Sequence, residues 1–158
     1  MTKVHVALVP GFFGFANLGD LAYFGHVHAF LNGAYRARGI EPVLHVVKTH
    51  PTASVVRRAV KLRDTLATDA ADDAPIHLVG HSSGGLDCRL LLDPGVELPG
   101  PDPVEPIAAR VTRVMTVATP HRGTPLAEFF ATRLGGALLE ILSLATMHGL
   151  RQIGRAHV

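Results

Sequence analysis

The sequence predicts an α/β fold, a mostly parallel sheet covered by helices on both faces. Two observations carry this. Short apolar runs alternate with amphipathic segments along the chain, the pattern of strands joined by crossover helices. And 158 residues with 47% hydrophobic and only 18% charged side chains hold enough apolar material for one core.

The elements follow in order. Val4 to Val9 is an apolar run closed by Pro10-Gly11, a buried strand and its turn. Phe24, Val27, His28, Leu31, Ala34 and Tyr35 recur at three- and four-residue spacing, which predicts a helix with that face inward. Gly39 ends it, just after two arginines that suit a helix C-terminus. Pro42 to Val47 reads as a second strand. A second helix shows Val55, Ala59, Leu62 and Leu66 on one face, entered from Pro51-Thr52 and left through Asp69 to Asp73. Ile76 to Val79 is a third strand, Leu86 to Leu92 a third helix, and Val111 to Val117 a fourth strand. Between the last two, the stretch from Asp93 to Pro106 has five prolines and two glycines and reads as a loop.

The third strand runs into LVGHSSGGLDCR, Leu78 to Arg89, which contains Gly80-His81-Ser82-Ser83-Gly84. This matches GxSxG, a sharp strand-to-helix turn that lifts a serine hydroxyl above the strand ends. Ser82 takes the central position. Ser83 cannot, because its own pattern would need glycine at His81. Gly80 and Gly84 leave room where side chains would collide with the neighbouring strand or helix. The plain alternative is an ordinary turn with a capping serine. A second glycine-containing loop, VPGFFGF from Val9 to Phe15, follows the first strand. Acyl transfer at a serine needs two amide donors aimed at the oxyanion, one from the residue after the nucleophile and one from such a loop. Ser83 and Phe12 would supply them. No Gly-Lys-Ser/Thr follows the loop, so a phosphate-binding reading has little behind it.

Together with VATPHRGTPLAEFF, Val117 to Phe130, these blocks resemble bacterial triacylglycerol lipases and related esterases of the α/β-hydrolase superfamily. The resemblance runs from position 9 to 130. It implies an α/β-hydrolase fold and ester hydrolysis of an acyl ester or lipid, with Ser82 as nucleophile and the Phe12 and Ser83 amides as oxyanion hole. It implies no cofactor. One departure is that many such lipases carry His-Gly where this chain has Pro10-Gly11, and proline has no amide hydrogen.

A serine hydroxyl is a poor nucleophile until a histidine takes its proton, and that histidine must be oriented by a carboxylate. In this fold the order is Ser, then Asp or Glu, then His. Downstream of Ser82 the histidines are His121, His148 and His157, and no Asp or Glu occurs after Glu140. His121 reads as structural. Asp87, on the helix that follows Ser82, reads as the partner of a neighbour such as Arg89. With no acid and base in place, residues 1–152 read as the N-terminal portion of one hydrolase domain whose catalytic Asp and His lie beyond it. Residues 134–152, rich in leucine around Glu140, read as the start of a lid region that touches a lipid surface transiently. The tail IGRAHV, Ile153 to Val158, is what one frame of a common sequencing-adapter DNA encodes, and is expected to be non-native. A non-catalytic binding protein that keeps the turn as a relic is the competing expectation.

The remaining features exclude other classes. Fifteen Lys/Arg are scattered among thirteen Asp/Glu with no basic run, so no nucleic-acid partner is expected. His26 and His28, two apart on a helix, point about 200 degrees apart, and neither HExxH nor a Cys/His pattern occurs; no metal is expected. Cys88 is the only cysteine, so there is no intrachain disulfide. After Met-Thr-Lys the chain enters VHVALVP, too short and β-branched for a signal peptide, which predicts a cytoplasmic protein or one whose start lacks its signal.

Overall fold

The computed structural model describes residues 2–11, 20–50, 53–125 and 135–137. The chain divides into two compact units, Met1–Thr119 and Pro120–Val158. The first contains β1 (Thr2–Val9), α1 (Asp20–Arg36), β2 (Ile40–Val46), α2 (Val55–Asp69), β3 (Ile76–His81), α3 (Gly84–Leu92), α4 (Glu105–Ala108) and β4 (Val111–Val117). In the second, His121 and Gly123 form an isolated bridge and residues 135–137 are helical.

All four strands pair in parallel in the order β2-β1-β3-β4. The α/β class expected from the alternation is the one observed. Side chains of β1 alternate between two cores, as a period of two requires. Val4, Val6 and Leu8 pack with Phe24, Leu31 and Tyr35 of α1 on one face. Ala7 and Val9 pack on the other with Ala59, Leu62 and Leu66 of α2, Cys88 and Leu91 of α3, and Ile107 of α4. Burial of β1 on both faces explains why it reads as a continuous apolar run.

The element boundaries correct the sequence reading in several places. Helix α2 is capped by Ser54, whose hydroxyl accepts from the Arg57 N–H; Pro51-Thr52, from which it is expected to be entered, lie outside the described residues. The stretch from Asp93 to Pro106 is not all loop, because α4 starts at Glu105 with Pro106 in its first turn, where a missing N–H costs nothing. Gly39 does end α1, with φ of 72°, but His28 is exposed and Val27 is 39% exposed, so the inward face of α1 is narrower than its spacing predicts. The exposed Val27 and Phe30 of α1 face Val114, Met115 and Val117 of β4 across an open apolar groove of about 850 Å³.

The opposite end of the sheet from the serine turn is tied by charge. His5 of β1, almost wholly buried, places Nδ1 2.8 Å from Nε2 of His45 on β2 and Nε2 2.9 Å from Oδ1 of Asp72. The two rings stack with centroids 5.0 Å apart, and Lys3 pairs with the same aspartate. On the α1 face Tyr35 hydrogen-bonds Nδ1 of His77.

Both His45 and His77 have pKa values below the ordinary histidine value, the first through burial and then the charge of His5, the second through burial and then Arg113. A group that protonates less readily when folded draws the chain toward the unfolded state as protons are added. Stability is therefore retained above the unfolded histidine pKa of about 6.5 and lost as pH falls from there through the lowered folded values. The urea midpoint is expected to drop between pH 7.5 and 5.5, and the double variant His45→Gln/His77→Gln to flatten that slope; an unchanged slope in the double variant would contradict this.

Candidate functional site

In an open parallel sheet the crevice for a ligand lies beyond the C-terminal strand ends, where the strand order reverses. Here β1 leads to β2 on one side and the chain then returns past β1 to β3 and β4 on the other, so the reversal falls between β1 and β3. Val9 at the end of β1 pairs with Gly80 at the end of β3. The two glycine-containing blocks picked out in the sequence are thus brought together at one point.

The turn after β3 is built as the motif demands. Ser82 has φ of 53°, a left-handed conformation that costs a non-glycine residue about 1–3 kcal/mol. It is held there by its own N–H, which donates to the Val117 carbonyl of β4 at 2.8 Å. The Ser82 and Ser83 carbonyls then accept from Gly85, Leu86 and Asp87 and start α3, which begins at Gly84 and not, as the spacing predicts, at Leu86. A Cβ at Gly80 would lie 2.6 Å from Gly85 N and Cα, and one at Gly84 would lie 2.2 Å from the Val9 carbonyl oxygen. Gly11 touches the serine itself: a Cβ there would stand 2.7 Å from Ser82 Cβ and 3.2 Å from its Oγ. Strand β4 ends in a second strained residue, Ala118 with φ of 51°, followed by Thr119, which lies against Gly85.

Ser83 is not a capping serine. Its backbone is right-handed helical, its hydroxyl makes no capping bond, and that oxygen is buried without a partner, as is Oγ1 of Thr119. Its N–H is one of the first-turn donors that a helix leaves unused, and no backbone carbonyl among the described residues accepts it. His81, at the end of β3, is half-buried. Phe12, the other expected amide donor, lies outside the described residues, as do His148, His157 and nearly all of the leucine-rich stretch from 134. His121 is exposed. A histidine–carboxylate pair among the described residues, His5 with Asp72, stands near the start of β3, about 20 Å of strand from Ser82.

Asp87 requires a correction. It does not pair with Arg89, which is exposed; it is completely buried and binds Arg58 of α2. Arg58 Nε lies 3.2 and 2.9 Å from the two carboxylate oxygens and Nη2 2.7 Å from Oδ2. Nη1 donates to the Gly11 carbonyl at 3.1 Å and Nη2 also to the Pro10 carbonyl. Burial pushes the Asp87 pKa up, with the guanidinium pulling it down. Next to it the Cys88 thiol is pushed up to about 12 by burial and by Asp87, which makes it inert as a nucleophile. Sequence reasoning missed Arg58. The available signal was its place on the stripe 58, 62, 66, where an arginine four residues from a core leucine needs a buried partner.

No protein-family model matches the chain, and no curated protein does. Among solved structures it is similar to a metagenomic carboxyl esterase, with a TM-score of 0.51 and 23% identity over 82% of this chain. The chain spans 36% of the length of that esterase. The likeness is one of fold, and it agrees with the parallel sheet and flanking helices described above.

The close approaches make a sharp contrast among glycines. Gly84→Ala is expected to lose about 1–3 kcal/mol in urea unfolding, because backbone carbonyls cannot yield to the added methyl. Gly33→Ala, exposed in α1 with nothing within 4 Å of the new atom, is expected to gain about 0.5–1 kcal/mol. Equal effects would contradict the packing of the turn.

Proposed function

We propose that the protein is a serine ester hydrolase that works through an acyl-enzyme on Ser82. The observation that carries this is the strained Ser82, in contact with Gly11 at the point where the strand order reverses. The esterase-like fold supports it, as do the three blocks that resemble lipases.

In this reading Ser82 Oγ attacks the ester carbonyl carbon while its proton passes to a general base. The negative charge that develops on the carbonyl oxygen is met by the Ser83 N–H, at the positive end of α3, and by the Phe12 N–H. The C–O bond to the alcohol breaks, the base returns the proton to the leaving oxygen, and water then releases the acid by the same steps in reverse order. The base and the carboxylate that orients it are assigned to no residue of this chain, so the reading is one of the full-length protein. A lid over 134–152 that contacts a lipid surface belongs to the same reading and would make the substrate a lipid ester. Asp87 is not the orienting acid, since Arg58 occupies both of its oxygens.

A fluorophosphonate probe followed by peptide mass spectrometry tests the assignment. Full-length wild-type protein is expected to carry the phosphonyl group on Ser82, Ser82→Ala to carry none, and Ser83→Ala to label as wild type does. Labelling that persists in Ser82→Ala, or is lost equally in both variants, would overturn it and favour a binding protein that retains the turn.

A further inference from the structure

The sheet end that carries Ser82 has a second concavity, at β2, with β1 between it and β3. It lies where the chain leaves β2 and enters α2, and its volume is about 460 Å³. Small-molecule sites fall in the range of roughly 300–1,000 Å³. Lys48, Thr49, Arg57, Arg58 and Lys61 line it, and no aspartate or glutamate does. Arg58 is committed to Asp87 and to the loop carbonyls, so it adds positive field there more than donors.

Two independent observations fit this lining to an anion. The first is the placement of charge on α2. Arg57 stands in the first turn, where the positive end of the helix favours carboxylates, and that turn holds no acid. Lys61 follows four residues later on the same face, where like charges repel. Both choices cost the helix something locally, and a local rule broken without local compensation is a mark of a functional site. The second observation is Thr49. Two residues past the buried Val47, it is 5% exposed, and its Oγ1 is buried with no hydrogen-bond partner among the described residues. A buried hydroxyl left unpaired destabilises a fold, and a ligand oxygen in the cavity that Thr49 lines would relieve it.

We propose that this cavity is a binding site for a phosphate ester. Several acceptor oxygens and a charge near −2 let one phosphate meet Thr49, Arg57 and Lys61 together, which a carboxylate with two oxygens and one charge does less well. The cavity has room beyond the phosphate for the group it is esterified to. The site goes beyond the reading of Ser82 as nucleophile and does not depend on it.

Isothermal calorimetry on the full-length protein, in buffer free of phosphate, tests this with glycerol 3-phosphate as probe and glycerol as control. Wild type is expected to bind one glycerol 3-phosphate per chain and to give no heat with glycerol. Thr49→Val is expected to bind about tenfold more weakly, and Arg57→Gln/Lys61→Gln to lose at least as much. Vesicles of equimolar phosphatidic acid and phosphatidylcholine distinguish the source of the phosphate. Binding to these vesicles alone assigns a lipid headgroup, binding to glycerol 3-phosphate assigns a soluble ester, and the same variants weaken either. Wild type that binds neither, or variants that bind as wild type does, overturn the proposal.

Urea melts without ligand separate a ligand contact from a structural role. Valine has nearly the shape of threonine and buries no unpaired hydroxyl, so Thr49→Val is expected to raise the urea midpoint. A hydroxyl that the fold itself needs would lower it, and that result overturns the assignment. Because the readouts are binding and unfolding, they stand apart from the labelling of Ser82.

Discussion

The structure at the C-terminal end of the sheet depends on one buried contact, the guanidinium of Arg58 against the Asp87 carboxylate and the carbonyls of Pro10 and Gly11. Removing two charges from water costs several kcal/mol per ion, and their attraction recovers this only when every polar atom is satisfied. Such a pair adds little net stability over well-packed apolar residues. What it adds is geometry. Three segments far apart in sequence are held at distances so short that the first residue of α3 has no room for a Cβ. An apolar cluster of the same volume would fill the space without choosing which way the loop carbonyls point.

The rest of the site follows from that constraint. With α3 pressed against the end of β1, the chain leaving β3 must reverse within one residue, and Ser82 absorbs the reversal with a positive φ. The bond from its N–H to Val117 draws in β4, which ends in its own strained residue, Ala118. Strain at two adjacent strand ends is tolerated because the Ser82–Val117 bond and the close packing of α3 on the end of β1 hold the turn in place. The far end of the sheet has a different task. There the His5–His45–Asp72 cluster ties β1 to β2 and to the turn before β3, so the His5–Asp72 pair serves the scaffold.

Much of this was legible in the sequence because it is written in local patterns. Apolar runs of four to seven residues marked the strands, the pattern around Ser82 marked the turn, and β4 was bounded correctly at Val111 and Val117. What was not legible is what depends on contacts between distant residues. Arg58 looks like any arginine of an amphipathic helix until α3 is folded against it. Asp87 was assigned to Arg89 because sequence reasoning favours near neighbours, whereas burial selects a partner 29 residues away. Ser83 looked able to cap a helix, but its backbone is already helical and its hydroxyl points into a buried space. Helix α1 was expected to bury a broader face than it does, since its spacing shows which residues align and not what covers them.

The central claim is that Ser82 is a nucleophile poised against a preformed oxyanion site. Its most direct test is a crystal structure of the phosphonate adduct, in which the phosphoryl oxygen mimics the oxyanion. The account predicts phosphorus bonded to Ser82 Oγ and that oxygen within hydrogen-bond distance of the Ser83 N–H, about 2.7–3.1 Å. An adduct whose oxygen turns to solvent, or one formed on another residue, would contradict it.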